Sequence, residues 1–449
     1  MDGNCEGNPN PKSLTEDLLI EILLWLPVIS LLRFKAVCKY WRSIIESSDF
    51  IHRHANFGNS TSKLGNFIFQ YRPGNILDKE YKSYFFVLSS SSSSRGSGGG
   101  EEEDSGQWSF KYLGISPHLS DDYEYDMYDT YPPETKMVGS CHGIICIHDP
   151  HLRDVILWNP ATKKFRCLPK SLPLLDEFGV LQSEFVLFGF DCETYDYKVL
   201  QITFFEINNE VDITPPDRIQ IYSLRSDSWR WCIDANLYGH SYKGITENQG
   251  RYLNSSYYFV GNNFRRKEII MDSVLRSYDH PEPVVLSFNF SRESFRMIPV
   301  PDNISQLDVI GGDQGKIVYI TRPSHNTTSN ITSVVYVVYA FNDYDYSSGA
   351  TNADKNEYSL SKLHTCTIYN PCGGLGYGPK AITKIGVFGF LCGIGGGLVF
   401  INFLTEEMKD IEVIDASLEG LGEVVRADVY KESLVSIESA VPSSSSSSY

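Results

Sequence analysis

The chain has 449 residues, 42% of them hydrophobic, with a net charge of -17 and 10 cysteines. That length exceeds one typical domain and supports a sizeable core, while the acidic balance argues against nucleic acid, whose phosphates want a basic face. The sparse cysteines argue against a disulfide scaffold, and the absence of a long apolar run or a basic-then-apolar leader fits a soluble, non-secreted chain of the cytoplasm and/or nucleus.

Residues 1–10 are polar and read as a disordered N-terminus, and residues 11–55 read as a compact helical unit. Ser13 and Glu16 fit a capping box, which satisfies free backbone donors at a helix start. Leu18, Leu19, Ile22, Leu23 and Leu26 follow at helical spacing until Pro27, which lacks an amide donor, stops the run. Ser30 can cap a second helix over Leu31 to about Lys39, and Tyr40 to Ile45 supply a third. So small a unit cannot hide Leu14, Leu18, Ile22, Leu26, Leu31, Leu32, Phe34, Val37, Trp41, Ile44 and Ile45 by itself. Leaving half of them wet forgoes several kcal/mol, at about 25 cal/mol per Å² of apolar surface, so either the rest of the chain or another protein covers them.

Over residues 14 to about 54 this run resembles an F-box. The pattern is carried by Leu14 and Asp17-Leu18, by Ile22-Leu23 with Leu26-Pro27, and by Arg33-Phe34-Lys35, Val37-Cys38-Lys39 and Trp41. It continues through Phe50-Ile51 and His54, and it departs where Thr15 stands in the usual place of proline. The resemblance implies docking onto the Skp-type adaptor of a cullin ubiquitin ligase through Leu14, Leu18, Ile22, Leu26, Pro27, Leu31, Leu32, Val37, Cys38 and Trp41.

From about residue 60 to 435 the signals become short β-rich segments, with aromatics at 13% of the chain. Four segments starting at Val155, Ile219, Val285 and Leu398 share one template. Three positions on stands a large apolar residue (Trp158, Tyr222, Phe288, Ile401) and ten positions on another (Phe165, Trp229, Phe295, Met408), followed each time by Lys or Arg. Each copy predicts a hairpin whose matched bulky residues pin two buried ends, with Asn159-Pro160 and Arg225-Ser226-Asp227 as turn material. The last gap is nearly double the others and predicts an irregular unit around Val334 to Phe341. Such periods suggest propeller blades; a flat β-sandwich competes but does not demand the repeat.

Gly139 to Cys146, Leu157 to Phe165, Phe188-Gly189-Phe190-Asp191 with Asp196-Tyr197-Lys198-Val199, and Ile221 to Leu224 with Ser228-Trp229 resemble the F-box-associated, kelch-related domain of plant F-box proteins. The layout is similar to the S-locus F-box subgroup, which recognises S-RNases, although the same motifs occur across many relatives. The implied fold class is α+β and multi-domain, a small three-helix F-box followed by an all-β kelch-like propeller. The kelch double glycine is not cleanly repeated, so the blade number stays open.

Two tracts break the pattern. Residues 89–107, rich in Ser, Gly and acid, read as a disordered insert, and residues 441–449 as a disordered tail. Tyr123, Tyr125, Tyr128 and Tyr131 stand among acidic residues and are candidates for target contact, since tyrosine offers rigid amphipathic area; a merely solvated acidic loop is the alternative. Cys141, His142, Cys146, His148 and His151 raise zinc, but they lack a Cys-x-x-Cys pair, and Ile144 to Ile147 read as a buried strand. Neither a phosphate loop nor a hydrolase motif is present: Gly373 and Gly378 are spaced for the former, but Pro379 lacks the amide a phosphate would need. The reading is therefore a non-catalytic, cofactor-free substrate adaptor of a Skp-cullin-F-box ligase, binding the adaptor, through it the cullin, and a protein target that its charge would let be basic. A propeller enzyme with a helical cap and a non-degradative scaffold are the competing readings.

Overall fold

The computed structural model describes residues 16–57, 66–72, 83–91, 107–115, 135–150, 152–173, 180–206, 218–232, 250–271, 274–298, 300, 304–313, 316–323, 333–342, 359–369, 378–383, 388–392, 398–411 and 423–438. The helical unit has four helices where the sequence reading placed three: α1 (Glu16–Leu24), α2 (Val28–Phe34), α3 (Lys39–Ile45) and α4 (Ser48–Asn56). The fourth was missed because its amphipathic run is short and carries Asp49, His52, Arg53 and His54; Ser47 caps it, its Oγ accepting from the Phe50 amide at 3.2 Å. The second helix is also earlier and shorter than expected. Pro27, not Ser30, sits at its N-cap position, where a missing N–H costs nothing. Cys38 ends the connection by capping α3, its Sγ accepting from the Trp41 amide at 3.4 Å. Ser13 and Leu14 lie outside the described residues.

Among the described residues twenty-four strands follow, in six antiparallel sheets of four. Blade 1 holds β1 (Asn66–Arg72), β2 (Tyr84–Ser91) and β3 (Gln107–Ile115); blade 2 holds β4 (Lys136–Cys141), β5 (Ile144–Asp149), β6 (Asp154–Asn159) and β7 (Lys164–Cys167). Blade 3 holds β8 (Val180–Asp191), β9 (Asp196–Glu206), β10 (Arg218–Ser223) and β11 (Ser228–Trp231). Blade 4 holds β12 (Arg251–Leu253), β13 (Ser256–Met271), β14 (Val274–Asn289) and β15 (Ser294–Ile298). Blade 5 holds β16 (Ile304–Asp313), β17 (Lys316–Pro323), β18 (Ser333–Asn342) and β19 (Ser359–Tyr369), and blade 6 holds β20 (Gly378–Thr383), β21 (Phe388–Cys392), β22 (Leu398–Asn402) and β23 (Met408–Ile411). The last strand, β24 (Glu423–Val429), pairs with β1 and completes blade 1, so the ends of the chain close a six-bladed ring. The irregular unit expected near Val334 is β18, the third strand of blade 5.

The repeated template is the third and fourth strands of blades 2, 3, 4 and 6. Its bulky residues face one another in register: Trp158 with Phe165, Tyr222 with Trp229, Phe288 with Phe295, Ile401 with Met408. In every copy the residue eight positions in is left-handed: Lys163, Asp227, Glu293 and Glu406, with φ of 58°, 51°, 52° and 60°. The polar residue four before it builds the turn, as Asn159 Oδ1 accepts from the Ala161 and Thr162 amides and Asn289 Oδ1 from the Ser291 and Arg292 amides. The expectation that both bulky ends are buried holds in blade 3, where Trp229 joins the core, and fails for Phe165 and Met408, which are exposed on fourth strands at the rim. β2 and β3 also reach into both ends of the tract expected as a disordered insert, at Ser91 and Gln107.

The cores lie between blades. Val186, Phe188 and Phe190 of β8 join Val155, Leu157 and Tyr222 in one cluster, whereas Leu187 joins Phe259 and Leu286 of blade 4 in the next. A strand between two blades thus buries both faces, each large side chain contributing about 1.5–3 kcal/mol.

Candidate adaptor-docking face and its seat on the propeller

α1 has two apolar sides. Leu19, Leu23 and Leu24 are buried with Val28, Leu31, Ile44, Ile45 and Phe50 in one core, while Leu18, Ile22 and Trp25 are 56%, 51% and 65% exposed. Past the end of α1, Trp25, which meets Phe57 edge-on at 4.9 Å, and Ile29 of α2 are exposed as well. Val37 and Tyr40, also exposed, add the turn into α3. Of the expected adaptor contacts, Leu18, Ile22, Pro27, Val37 and Cys38 are exposed, and Leu26, Leu32 and Trp41 are half-buried. Leu31 is a correction: it is fully buried beneath the face and cannot be offered to a partner. Exposed Trp25, Ile29 and Tyr40 were not among the expected contacts.

The inner side of this unit is sealed by the propeller. Successive turns of an antiparallel blade alternate between its two ends, so the first and third turns share one face of the ring. The F-box helices sit on that face, over blades 2 and 3. Ala161, in the third turn of blade 2, packs on their core. His52 of α4 meets Phe190 at 6.0 Å and Tyr195 edge-on at 5.2 Å between ring centroids. These rings, with Phe57, Arg53 and Glu21, line a cavity of about 590 Å³ between α4 and the blades. Arg53 donates to Glu21 Oε1 at 2.9 Å and so ties α4 to α1.

A second clamp comes from the far end of the chain. After closing the ring, Tyr430 to Glu438 run beneath the helices: Leu434 enters the helical core, while Val435 and Ile437 enter the core of blades 2 and 3. Asn159 Nδ2 donates to the Ser433 and Val435 carbonyls at 3.1 and 2.9 Å. Lys431 Nζ donates to the Ala55 and Phe57 carbonyls at the end of α4, and burial lowers its pKa to about 8. Gly143 must be glycine here, since its φ is +78° and a Cβ would lie 2.5 Å from the Lys431 carbonyl oxygen. Burial, and then the nearby charges of His52 and Lys431, lower the pKa of His142 to about 4, so its ring is neutral at physiological pH.

The Asp191-to-Lys198 motif holds blade 3 to blade 4. Fully buried Asp191 accepts from Lys198 Nζ at 2.8 Å, from Ser291 Oγ at 2.6 Å and from Thr194 Oγ1 at 2.6 Å. Burial alone would raise the pKa of Asp191, but these hydrogen bonds hold it well below the carboxylate range. Lys198 also reaches Glu293 Oε1 at 2.9 Å, so a buried cation has two carboxylates.

Cys141, His142, Cys146 and His148 do not converge on a common point. His142 Nδ1 is paired with the Tyr197 hydroxyl at 3.2 Å and His148 Nε2 with Glu184 at 3.0 Å; both thiols are buried, and burial raises their pKa. Among the described residues no three His, Cys, Asp or Glu gather as a metal site, and no helix is long and apolar enough to cross a membrane. His151, Tyr123, Tyr125, Tyr128 and Tyr131 lie outside the described residues.

Residues 12–53 match the F-box domain family, and residues 113–340 match the F-box associated beta propeller domain family. The chain is 26% identical over 327 residues to an Arabidopsis thaliana chain named as an F-box protein, At3g10430, covering 71% of this chain and 72% of that one. It is 28% identical over 231 residues to the Arabidopsis thaliana F-box/kelch-repeat protein At3g23880, covering 51% and 54%. An F-box/LRR-repeat protein of the same plant, At2g43260, is 44% identical over 62 residues, covering 14% and 15%. A solved oligogalacturonate lyase in complex with manganese aligns over 75% of this chain and 72% of its own at a TM-score of 0.34 and 10% identity. With both family matches in place and a six-bladed ring behind the helices, the chain belongs to the F-box proteins that carry an F-box associated β-propeller domain.

Proposed function

We propose that the chain is the substrate-recognition subunit of a Skp-cullin-F-box ubiquitin ligase, docking a Skp-type adaptor with its outer helical face and holding a protein target with the propeller. The observation that carries this reading is the exposed stripe of Leu18, Ile22, Trp25 and Ile29 on helices whose other side is already sealed. A contiguous apolar patch of that kind is a protein-docking surface in a soluble chain. Catalysis would belong to the ligase; this subunit raises the effective concentration of target lysines near the transferring enzyme.

Capture of a recombinant Skp-type adaptor by the full chain tests the reading, with a Leu26→Asp, Trp41→Ala double substitution as the comparison. Loss of capture by a variant whose propeller still melts as in the wild type supports it, and unchanged capture overturns it. The likeness to S-locus F-box proteins extends the proposal to an S-RNase target. A net charge of -17 would draw a basic ribonuclease, so its capture should weaken as salt rises, and capture indifferent to ionic strength would remove that extension.

A further inference from the structure

The cavity of about 590 Å³ between α4 and blades 2 and 3 has the size of a small-molecule site and stands where two modules meet, a common place for one. Both modules wall it: Glu21 of α1, His52 and Phe57 at α4, and His142, Phe190 and Tyr195 from the propeller. Two of these rings sit at a backbone angle that side chains of their size seldom adopt, His142 with φ of 47° and Tyr195 with φ of 55°. Among the described residues every other left-handed position outside glycine carries a polar side chain without a ring, such as Asn254 or Asp227. Strained positions gather at ligand sites. The Tyr195 turn is fixed from both sides: Asp191 Oδ1 accepts from the Glu193 and Thr194 amides at 2.9 and 3.2 Å, and Asp196 Oδ1 from the Arg225 amide at 2.9 Å. It holds on the cavity wall a tyrosine that is 62% exposed.

The lining says what would fit. His52 meets Tyr195 edge-on at 5.2 Å and Phe190 at 6.0 Å, and His142 meets Phe190 edge-on at 4.8 Å. Walls made of ring faces and edges favour a flat, unsaturated occupant. Charge disfavours an ion of either sign. A cation would face Arg53 and, behind Phe57, Lys431. An anion would give up its water beside Glu21, with Arg53 already paired to that acid at 2.9 Å and Lys431 bound to the Ala55 and Phe57 carbonyls. Hydrogen-bonding capacity remains on the imidazoles. His142 Nδ1 is paired with the Tyr197 hydroxyl at 3.2 Å, and among the described residues nothing bonds its Nε2 or either nitrogen of His52.

We propose that this cavity is a small-molecule site whose occupant is an uncharged, planar aromatic molecule of two or three fused rings, with a carbonyl oxygen on its edge for an imidazole N–H. Such a molecule touches the helices and two blades at once, so its binding stiffens the seat of the helical unit on the propeller. Leu18 and Ile22 do not line the cavity, and the face offered to an adaptor stays open. The site stands whether or not the adaptor reading does.

Calorimetric titration and amide hydrogen exchange of the full chain test it. Coumarin is the probe, its ring-saturated analogue octahydrocoumarin the comparator for flatness, and 2-naphthoate the comparator for charge. Coumarin should bind about tenfold or more tightly than either comparator and slow exchange in α4 and in the turn from Asp191 to Asp196. Tyr195→Gly should weaken coumarin about tenfold through the lost ring contact, while glycine accepts the left-handed angle without strain. Tyr195→Asn, which also tolerates that angle, carries the comparison should the glycine variant misfold. No coumarin binding at millimolar concentration, equal binding of either comparator, protection confined to other elements, or binding indifferent to loss of the Tyr195 ring would overturn the proposal. Adaptor capture on the same samples keeps the two readings apart: its absence in the wild type sinks the ligase assignment and leaves the coumarin result standing.

Discussion

β8 and α1 are both apolar on two sides, and they are treated differently. In β8, Val186 and Phe188 face one inter-blade core and Leu187 the next, so each side chain is enclosed by the protein's own strands. In α1, Leu19 and Leu23 are enclosed while Leu18 and Ile22 stand in water. The ring gives every blade two neighbours, whereas a helical cap seated on one face has only one. The second side of α1 is accordingly the side on which another polypeptide would be worth several kcal/mol.

The sharpest way to break the enclosed half of that comparison is to remove its buried charge. Asp191→Asn leaves Lys198 short of a partner between blades 3 and 4 and should lower unfolding stability by about 3 kcal/mol or more. The folded-state pKa of Asp191 lies below its unfolded value, so the stability it contributes is present above about pH 4 and is lost as the solution becomes more acid than that. Urea denaturation should show the gap between variant and wild type constant from pH 5 to 8, on the order of the carboxylate range, and narrowing towards pH 3. A gap that persists undiminished at pH 3 would show that the network is not what holds these blades.

Next in size are the two sides of the helical seat. Leu23→Ala, from within the helices, and Leu434→Ala, from the C-terminal strap, empty the same core and should each cost about 2–5 kcal/mol. The readouts differ: Leu434→Ala should also loosen the C-terminal end of α4 and expose it to protease, because Lys431 of the strap binds the Ala55 and Phe57 carbonyls there. If Leu434→Ala changes neither, the strap only lies against the helices. A smaller effect is expected from His142, neutral in the fold with a pKa of about 4. The unfolded chain takes up that proton near the ordinary imidazole value of about 6.5, so stability falls as pH drops from about 6.5 to 4, and His142→Gln should flatten that slope.

The parts of this structure that local chemistry writes were legible in the sequence. The hairpin template found at Val155, Ile219, Val285 and Leu398 is a turn with one left-handed residue between a facing pair of bulky side chains seven residues apart, and that pair is legible in the sequence. Blades 1 and 5 lack that spacing, since longer connections, residues 92–106 and 343–358, join their third and fourth strands, and a blade number could not be read. The strap was invisible for a different reason. Leu434, Val435 and Ile437 look like one more strand, and only the closed ring shows that they leave the last strand and turn under the helices. Leu31 was misplaced because helical spacing identifies apolar residues but does not say which side of a thin cap faces inward.

The smallest effect on stability carries the most information about function. Ile22→Ser removes about half a side chain from water-exposed surface and should change unfolding free energy by no more than about 0.5 kcal/mol. Leu23→Ala, one residue on, should cost several times that and yet leave the outer stripe chemically intact. If the outer side of α1 is a docking surface, adaptor capture should follow the first substitution and not the second, once both are compared at temperatures where each remains folded. The reverse ordering, with capture tracking stability rather than position, would mean that the adaptor responds to the integrity of the helices as a whole. The exposed stripe would then be incidental, and the division of α1 into a sealed side and a waiting side would have no functional content.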